Sequence, residues 1–380
     1  MRITNVEAVP IRHELEDTFA NSQHWYNSRE YCLVKIETDR GFVGWGECYG
    51  PIAGNREMVE KWIAPWLNGK NPMHVRELHE KIAVRARASY HSFLPATTIS
   101  GVDMALWDLR GKAESKPIHE LLGGKRRSSV TAYATGHYFR DVDNFETLKE
   151  LFAEEAKGHV EAGFAALKAK IGLDRNTPWG IEEDIELIGA IREAVGDDVR
   201  IMADANQAYD RTEAKWVGRR LAEHDVYYFE EPIPVEDIQG YAHLNECLSV
   251  PIAAGECWAF IHEFEHVIRN NAVSYIQPDI PSAGGITTVQ TIARLANENN
   301  IPCIPHIWGS AISIAAGLQI IATIPGRTMI EFDRTPNPLR DDIVANPIDN
   351  DGNTVSIPDG PGLGIEVDQD TLNTYRVNKI

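Results

Sequence analysis

The chain has 380 residues, a formal net charge of −19, and 43% hydrophobic residues. It is longer than one ordinary domain but fits a barrel of about 250 residues with a smaller companion domain. The acidic balance and the lack of a run of roughly 18 apolar residues argue against a nucleic-acid partner and a membrane span.

The N-terminal segment and the cysteines indicate a cytoplasmic protein. The first residues, MRITNVEAVPIRHELEDTF, alternate apolar and polar side chains and lack the apolar stretch of a secretory signal. The five cysteines have no C-x-x-C spacing, so neither a disulfide framework nor a zinc knuckle is expected. We expect reduced, mostly buried thiols.

Residues 1–125 are expected to form a small α+β domain. Two strands should surround the turn TDRG, and three helical patterns follow in residues 55–70, 71–86 and 100–116. Asn55 is predicted to cap the first of these helices, and Pro72 is predicted to lie in the first turn of the second. A sheet followed by helices is typical of an α+β domain.

Residues 126–333 alternate short apolar runs with amphipathic segments. The eight runs are SVTAYATG, FAALKAKIG, VRIMADANQ, VYYFEEP, VPIAAGECW, VSYIQPD, IPCIPHIWG and RTMIEFD. This alternation predicts a parallel β/α barrel whose active site lies at the carboxyl ends of the strands. A Pro- and Gly-rich tail, residues 334–380, is expected to pack back on the first domain.

From the second run onward, every predicted strand ends in ionisable side chains. These follow one another at intervals of 23 to 34 residues, which is one β/α unit each time. Surface charges would have no reason to mark the same point of every unit, so we expect the side chains to converge. They are Lys168 and Lys170, Asp204, Glu230 with Glu231, Glu256, Asp279, His306 and Glu331.

Three consecutive strands end in the carboxylates Asp204, Glu230 and Glu256. Three hard oxygen ligands that face one centre suit Mg²⁺ and leave positions for substrate or water. A single carboxylate at a strand end would more often cap a helix or form a salt bridge, but three at matched positions favour a metal. Glu231 should point the other way by strand alternation and is interpreted as a supporting or structural acid.

Lys168 and Lys170 lie on one face of the second strand. Two crowded ammonium groups near a metal should lower each other's pKa, so that one of them can act as a base near neutral pH. The alternative interpretation is a solvated surface pair, which would have no reason to lie at a strand end.

The sixth and seventh strands place Asp279 beside His306, and the last strand ends in Glu331. Asp279 is expected to hold the ring of His306 in one tautomer and to raise its basicity, although a lone histidine is more often structural. Glu331 is expected to remain protonated among apolar neighbours and to donate a hydrogen bond to a developing enolate oxygen.

These residues resemble the motifs of the enolase superfamily, mandelate racemase subgroup, over essentially the full length. The resemblance implies a (β/α)7β barrel with an α+β capping domain, and a homo-oligomer between dimer and octamer. It also implies Mg²⁺ at the three carboxylates and abstraction of the proton α to a carboxylate to give a metal-stabilised enediolate. Lys170 would be the base on one face and His306 the acid or base on the other, with Lys168 on the substrate carboxylate. The motifs are K-x-K (Lys168, Lys170), D-x-N (Asp204, Asn206), FEEP (Glu230), GECW (Glu256), the dyad of Asp279 and His306, and IEFD (Glu331).

The segments TAYATG, IEFDRTPNPLRDD and VSIPDGPGLGIEVDQDTL resemble galactarolactone cycloisomerases and neighbouring acid-sugar dehydratases. This implies a sugar-acid or sugar-lactone substrate that loses an α-proton and then a β-oxygen. A leaving hydroxyl would make the enzyme a dehydratase, and a leaving ring oxygen would make it a cycloisomerase. The segments 19–31 and 48–55 are predicted loops that select the substrate. Predicted substrate contacts are His24, Trp25, Tyr26, Asn206, Trp258 and Trp308, although aromatic loop residues more often only pack.

Three other functions use the same pattern. A hydroxy-acid racemase or epimerase would need the same two bases but no leaving group. A metal hydrolase would use Mg²⁺ to activate water, but the H-x-H motif of zinc hydrolase barrels does not occur early in the barrel. A non-catalytic binding protein would be expected to have lost at least one converging ligand.

Overall fold

The computed structural model describes residues 1–90, 95–173, 177–348 and 350–377. An N-terminal α+β domain lies on a C-terminal barrel-like sheet surrounded by helices, as the sequence predicts. No helix in these ranges is long and apolar enough to cross a membrane. All five cysteines are free, and three of them are buried.

The N-terminal domain has a three-stranded antiparallel sheet in the order β1-β2-β3. Helix α4 packs closely on this sheet because β3 carries glycines. A Cβ atom at Gly44 would lie 2.1 Å from the carbonyl oxygen of Ala105, and one at Gly46 would lie 1.9 Å from that of Gly101. The elements are β1 (Ile3–Ala20), β2 (Trp25–Thr38), β3 (Val43–Cys48), α1 (Ile52–Met58), a π-helical turn (Val59–Ile63), α2 (Ala64–Leu67), α3 (Val75–Tyr90), α4 (Ala96–Glu114) and α5 (Ile118–Leu121).

Three local predictions in this domain are wrong. Asn55 lies inside α1 rather than at its cap, where its buried side chain accepts hydrogen bonds from Thr97 and Thr98. Pro72 precedes α3 by three residues, since this helix begins at Val75. The predicted substrate-selecting loop 19–31 is mostly a β-hairpin, because the antiparallel pairing of β1 and β2 continues to the pair Ala20 and Trp25.

The C-terminal domain has parallel strands in the order β10-β4-β5-β6-β7-β8-β9, and the short strand β11 pairs antiparallel with β4. Its strands are β4 (Ser129–Thr135), β5 (Ala166–Lys170), β6 (Arg200–Asp204), β7 (Val226–Glu230), β8 (Ile252–Ala254), β9 (Tyr275–Ile276), β10 (Ile330–Asp333) and β11 (Thr354–Ser356). Its helices are α6 (Phe145–Glu161), α7 (Ile181–Val195), α8 (Arg211–Glu223), α9 (Ile238–Cys247), α10 (Phe260–Arg269), α11 (Ile280–Ala283), α12 (Gly285–Glu298), α13 (Ala311–Ile321), α14 (Pro338–Asp341) and α15 (Gln369–Thr374).

The seventh predicted strand, IPCIPHIWG, forms only an isolated bridge between Cys303 and Ile276. Pro302 and Pro305 flank this bridge, and a proline has no N–H group to extend a ladder of hydrogen bonds. The segment still occupies the place beside β9, since Ile276 N donates to the carbonyl of Pro302 and Ile304 N donates to that of Ile276. His306 therefore follows the seventh position of the barrel.

The barrel interior separates an apolar layer from a charged one. The apolar cluster contains Tyr133, Ala166, Met202, Tyr228, Ala253, Ile304 and Met329. Inward side chains alternate along a strand, so the next inward position after Met202 is Asp204 and the next after Tyr228 is Glu230. The charged groups thus sit one layer above a packed floor, at the carboxyl ends of the strands.

The C-terminal tail contacts both domains. Arg12 N donates to the carbonyl of Tyr375 and Val377 N donates to that of Pro10, while β11 extends the sheet at β4. The tail therefore packs back on β1, as the fold prediction has it. The domain boundaries at residues 125 and 333 remain predictions.

Glu47 joins the two domains. It is the next-to-last residue of β3 and is fully buried, and its carboxylate accepts hydrogen bonds from Ser310 N at 3.2 Å and from Ser313 N at 3.3 Å. Burial raises the pKa of Glu47 from its ordinary value of 4.5 to about 7, against the lowering effect of the Ser310 hydrogen bonds. The folded protein therefore binds this proton more tightly than the unfolded chain does.

We predict that Glu47→Gln reduces the loss of stability between pH 5 and pH 8. The contribution of Glu47 to the free energy of unfolding is complete below pH 4.5 and is lost as the pH rises through about 7. The shift corresponds to roughly 3 kcal/mol at most. Thermal unfolding at both pH values measures the effect, with the exposed Glu30→Gln on β2 as the control. Parallel pH dependence of Glu47→Gln and the unsubstituted protein would contradict the prediction.

Candidate active site

The strand-end residues predicted from the sequence meet at one end of the barrel. Parallel pairing aligns Lys170 with Asp204, and Asp204 with Glu230. One oxygen from each of Asp204, Glu230 and Glu256 lies within 4.8 Å of the others. Asp204 and Glu230 are buried, and the side chain of Glu256 is 14% exposed. Carboxylate groups that can bind a metal are therefore present.

The donor set fits a hard divalent cation. The three residues provide oxygen ligands, and the side-chain oxygen of Asn206 beside them is buried without a hydrogen-bond partner within the described residues. Asn206 donates from Nδ2 to Glu256 Oε1 at 3.4 Å, and its backbone N–H donates to Asp204 Oδ1 at 3.0 Å. Asn206 therefore touches two of the three candidate ligands, so a substrate at that centre would lie near it.

The two lysines form ion pairs with these carboxylates. Lys168 Nζ lies 2.8 Å from Glu230 Oε1 and 3.0 Å from Glu331 Oε1, and Lys170 Nζ lies 2.5 Å from Asp204 Oδ2. Burial alone would lower the pKa of each lysine, but the carboxylates outweigh it, and the pKa of both is raised. Protein groups alone therefore favour the charged form of both lysines, because each ammonium group contacts a carboxylate. The expected lowering of these pKa values depends on a cation at the same carboxylates.

His306 and Asp279 form the expected pair. His306 Nδ1 lies 2.8 Å from Asp279 Oδ2, and His306 Nε2 lies 3.1 Å from Glu256 Oε2. Burial would lower the pKa of His306, but Glu256, Glu331 and Asp279 raise it to about 10. The imidazolium form therefore faces the carboxylate cluster and can donate a proton.

Glu331 differs from its prediction. It accepts a hydrogen bond from Thr135 Oγ1 at 2.6 Å as well as the Lys168 contact. Burial would raise its pKa, but the positive charges of Lys168 and His306 lower it to about 2. Glu331 is thus ionised among these side chains, and its predicted protonated form is wrong.

Glu231 also departs from strand alternation. Strand β7 ends at Glu230, and Glu231 has a left-handed backbone with φ +38°. Its carboxylate accepts a hydrogen bond from Gln207 Nε2 at 3.1 Å and lies close to Glu256 and Cys257. The burial of Glu231 and the charge of Glu256 raise its pKa well above its usual range. It is therefore a supporting acid on the same side as the metal ligands rather than on the opposite face.

The structure brings together three of the predicted substrate contacts. His24, Tyr26 and Trp308 line a cavity of ≈ 560 Å³ beside the hairpin of β1 and β2. The ring centroids of Tyr26 and Trp308 are 5.3 Å apart, and Trp308 Nε1 is buried without a hydrogen-bond partner within the described residues. Burial raises the pKa of Tyr26. The charge of Lys170 lowers this pKa and that of Glu256 raises it, so both charged groups lie near the tyrosine. The cavity therefore adjoins the charged centre.

Trp258 and Trp25 lie elsewhere. Trp258 is 4% exposed, packs against Tyr241 and Phe264, and donates from Nε1 to the carbonyl of Val235. It belongs to the hydrophobic core and does not line the cavity, so its substrate contact stays a prediction. Trp25 is partly buried against the same core and does not line the cavity.

Two site residues were missed. Gln277 is buried and donates from Nε2 to Glu230 Oε2 at 3.0 Å, and Thr135 holds Glu331. Both side chains are neutral, whereas the strand-end pattern in the sequence rests on ionisable groups. Gln277 lies two residues before Asp279 and Thr135 ends β4, so the strand-end pattern itself could have identified them.

Comparisons with known proteins agree with this geometry. Residues 4–123 match the family model of the mandelate racemase / muconate lactonizing enzyme N-terminal domain, and residues 151–371 match the enolase C-terminal domain-like model. The D-galactarolactone cycloisomerase of Agrobacterium fabrum is 38% identical over 99% of both chains. The arabinonate dehydratase of Saccharolobus solfataricus is 37% identical over 91% of both chains.

A solved structure shares the whole fold. The crystal structure of the 3,6-anhydro-D-galactonate cycloisomerase from Zobellia galactanivorans superposes with a TM-score of 0.89 at 37% identity and covers 100% of both chains. The two family models and the strand-end residues of the barrel agree on one assignment. The chain is an enzyme of the enolase superfamily and belongs to its mandelate racemase / muconate lactonizing enzyme family.

Proposed function

We propose that the protein is a Mg²⁺-dependent cycloisomerase of a sugar lactone of the galactarolactone type. The observation that carries this proposal is the position of the two proton-transfer groups at one carboxylate cluster. Lys170 contacts Asp204, and His306 contacts Glu256. A substrate carboxylate at that cluster would have one proton-transfer group on either side. The names of the relatives support a sugar acid as the substrate.

Asp204, Glu230 and Glu256 would hold the cation, and Asn206 and Gln277 would keep these carboxylates oriented. When bound, Mg²⁺ supplies positive charge that makes the α-proton of a carboxylate more acidic. Lys168, which is buried between Glu230 and Glu331, would pair with the substrate carboxylate. Lys170 would lie beside the α-carbon.

In the proposed reaction, positive charge held at Asp204 would lower the pKa of Lys170, so that the lysine can lose its proton. The neutral amine then removes the α-proton, and the electron pair of the C–H bond forms the enediolate. The enediolate then collapses to a C=C bond between the α- and β-carbons and expels the β-oxygen. His306, positively charged next to Asp279, gives its proton to the leaving oxygen. If that oxygen is part of a lactone ring, the ring opens and the product, after tautomerisation to a keto acid, is an isomer of the substrate.

An acid-sugar dehydratase is the second candidate, because the relatives at 37% and 32% identity are dehydratases. Its first step would be the same, but the leaving group would be a free hydroxyl and one water would be lost. The proposed enzyme would act as a soluble homo-oligomer in the cytoplasm.

The substrate prediction is tested by proton NMR in D₂O with Mg²⁺ on a panel of aldonates, aldarates and aldarolactones. We expect loss of an α-proton signal and a keto-deoxy product from an aldarolactone. The same product class from an open-chain acid alone would make the enzyme a dehydratase. Exchange without a new product would indicate a racemase or epimerase, and no exchange on the whole panel would contradict the proposal.

We predict that Lys170→Ala and His306→Asn each lower kcat by roughly 100- to 10,000-fold, as expected for loss of a general base or acid. In Lys170→Ala, exchange of the α-proton with solvent on one face should also disappear. Both effects are measured by NMR on the substrate that the panel identifies. Lys157→Ala, an exposed lysine on α6, serves as the control. Full activity of both variants would disprove the assigned roles.

We predict that chelation removes activity and that Mg²⁺ restores it. Positive charge at the reacting carboxylate contributes several kcal/mol, so the loss should be roughly 100-fold or more. Activity is measured after dialysis against EDTA, and again after Mg²⁺ is added. Asp204→Asn should show the loss without recovery at the same Mg²⁺ concentration. Undiminished activity in the presence of EDTA would exclude a metal role for the carboxylates.

A further inference from the structure

A second cluster of possible metal ligands lies outside the candidate active site. It contains His137, Glu155 and His159, each of which has one ligand atom within 4.8 Å of those of the other two. His137 follows strand β4, whereas Glu155 and His159 are four residues apart on α6 and so share one face of that helix. The cluster connects the end of a barrel strand with its neighbouring helix.

The histidines in this cluster are buried, and three of their ring nitrogens lack a well-formed hydrogen bond within the described residues. His137 is fully buried, and His159 is 7% exposed. The carbonyls of Lys168 and Phe152 are near enough to His137 to favour its protonation. Even so, within the described residues neither ring nitrogen of His137 nor His159 Nε2 makes a hydrogen bond of normal geometry. Buried polar atoms usually have a partner, and one ion bound between the two rings would give all three residues of the cluster a ligand interaction.

The spacing of the ligand atoms suits a tetrahedral ion. Glu155 Oε1 and His159 Nε2 are 3.5 Å apart. Metal–ligand bonds of about 2.0–2.1 Å put tetrahedral ligands roughly 3.3–3.4 Å apart, so this pair needs almost no movement. Gly136 leaves the necessary room, because a Cβ atom there would lie 2.2 Å from Glu155 Oε1 and 2.9 Å from His159 Nε2.

Two of the three residues are in the protonation states that bind metals. Burial lowers the pKa of His137 to about 4, so its imidazole is neutral at neutral pH. Burial would raise the pKa of Glu155, but the interactions with His137 and His159 lower it to about 2. Metal ions bind neutral imidazole and ionised carboxylate, so no proton has to be displaced from these two groups.

We propose that His137, Glu155 and His159 bind one Zn²⁺-type transition-metal ion, with the fourth position open to water. Two imidazoles and one carboxylate favour such an ion, whereas the three carboxylates of the candidate active site favour Mg²⁺. The glutamate side chain is 25% exposed and gives the ion a way in from solvent. This site does not depend on the proposed function.

The ion would stabilise the backbone that carries Lys170. The carbonyl of His137 accepts the N–H of Lys170 at 3.2 Å, and Gly136 N donates to the carbonyl of Lys168 at 3.5 Å. A metal bond to His137 would therefore tie this backbone to α6. Binding to the folded protein alone raises its stability, so Zn²⁺ should raise Tm.

The test counts Zn²⁺ ions per chain by isothermal titration calorimetry and elemental analysis, in excess Mg²⁺. Zn²⁺ at the carboxylates or at exposed cysteines would be common to all variants, so the difference between variants is decisive. We expect Glu155→Gln and His159→Gln each to bind one equivalent less than the unsubstituted protein and to lose the rise in Tm. Glu154→Gln, the exposed neighbour on the same helix, should keep both.

Co²⁺ provides an independent readout, because imidazole-bound tetrahedral Co²⁺ has visible absorption bands that octahedral carboxylate-bound Co²⁺ shows only weakly. We expect these bands in the unsubstituted protein and their loss in both variants. Equal Zn²⁺ stoichiometry and equal Co²⁺ spectra in all variants would overturn the proposal. If His159→Gln does not fold, Glu155→Gln decides the result alone. Glu155 is partly exposed, and glutamine keeps an oxygen that can accept the hydrogen bond from the backbone N–H of His137.

Discussion

The compensation of buried charge at the carboxyl end of the barrel governs this structure. Six carboxylates meet there, and within the described residues five of them form ion pairs with Lys168, Lys170 or His306. The sixth, Glu231, lies beside Glu256. A buried carboxylate without a partner is costly, so each one takes a cation or shares a proton. Burial and the charge of Asp204 raise the pKa of Glu230 to about 7, which shows that the compensation is incomplete. A divalent cation would supply the missing charge.

The barrel makes this concentration of charge possible because its floor is apolar. The inward side chains below the charged layer are tyrosines, methionines, alanines and an isoleucine, which form a packed cluster. Parallel pairing then brings residues from distant parts of the chain to the same height, as it does for Lys170, Asp204 and Glu230. The capping domain covers the open end, and Glu47 binds it to the segment around Ser310 through hydrogen bonds.

Spacing along the chain was sufficient to predict which side chains converge. Each β/α unit has nearly constant length, so regular strand ends in the sequence become neighbours in space. Protonation states were not predictable in this way, because they depend on the distances between groups from different strands. The lysines and Glu331 illustrate this point. Lys168 lies 3.0 Å from Glu331 and Lys170 lies 2.5 Å from Asp204, and these contacts raise the pKa of both lysines and lower that of Glu331. Local backbone geometry was equally hidden at Glu231, where one left-handed residue breaks the strand alternation.

The segment at the end of β4 has a larger role than its composition indicates. Its sequence, Thr135-Gly136-His137, contains no carboxylate or lysine and drew no attention as a strand end. Yet Thr135 holds Glu331, and the backbones of Gly136 and His137 bind those of Lys168 and Lys170. The same three residues therefore position Glu331 and the backbone of both lysines through hydrogen bonds. Because His137 also faces Glu155 and His159, whatever occupies that cluster bears on the segment that aligns the two lysines.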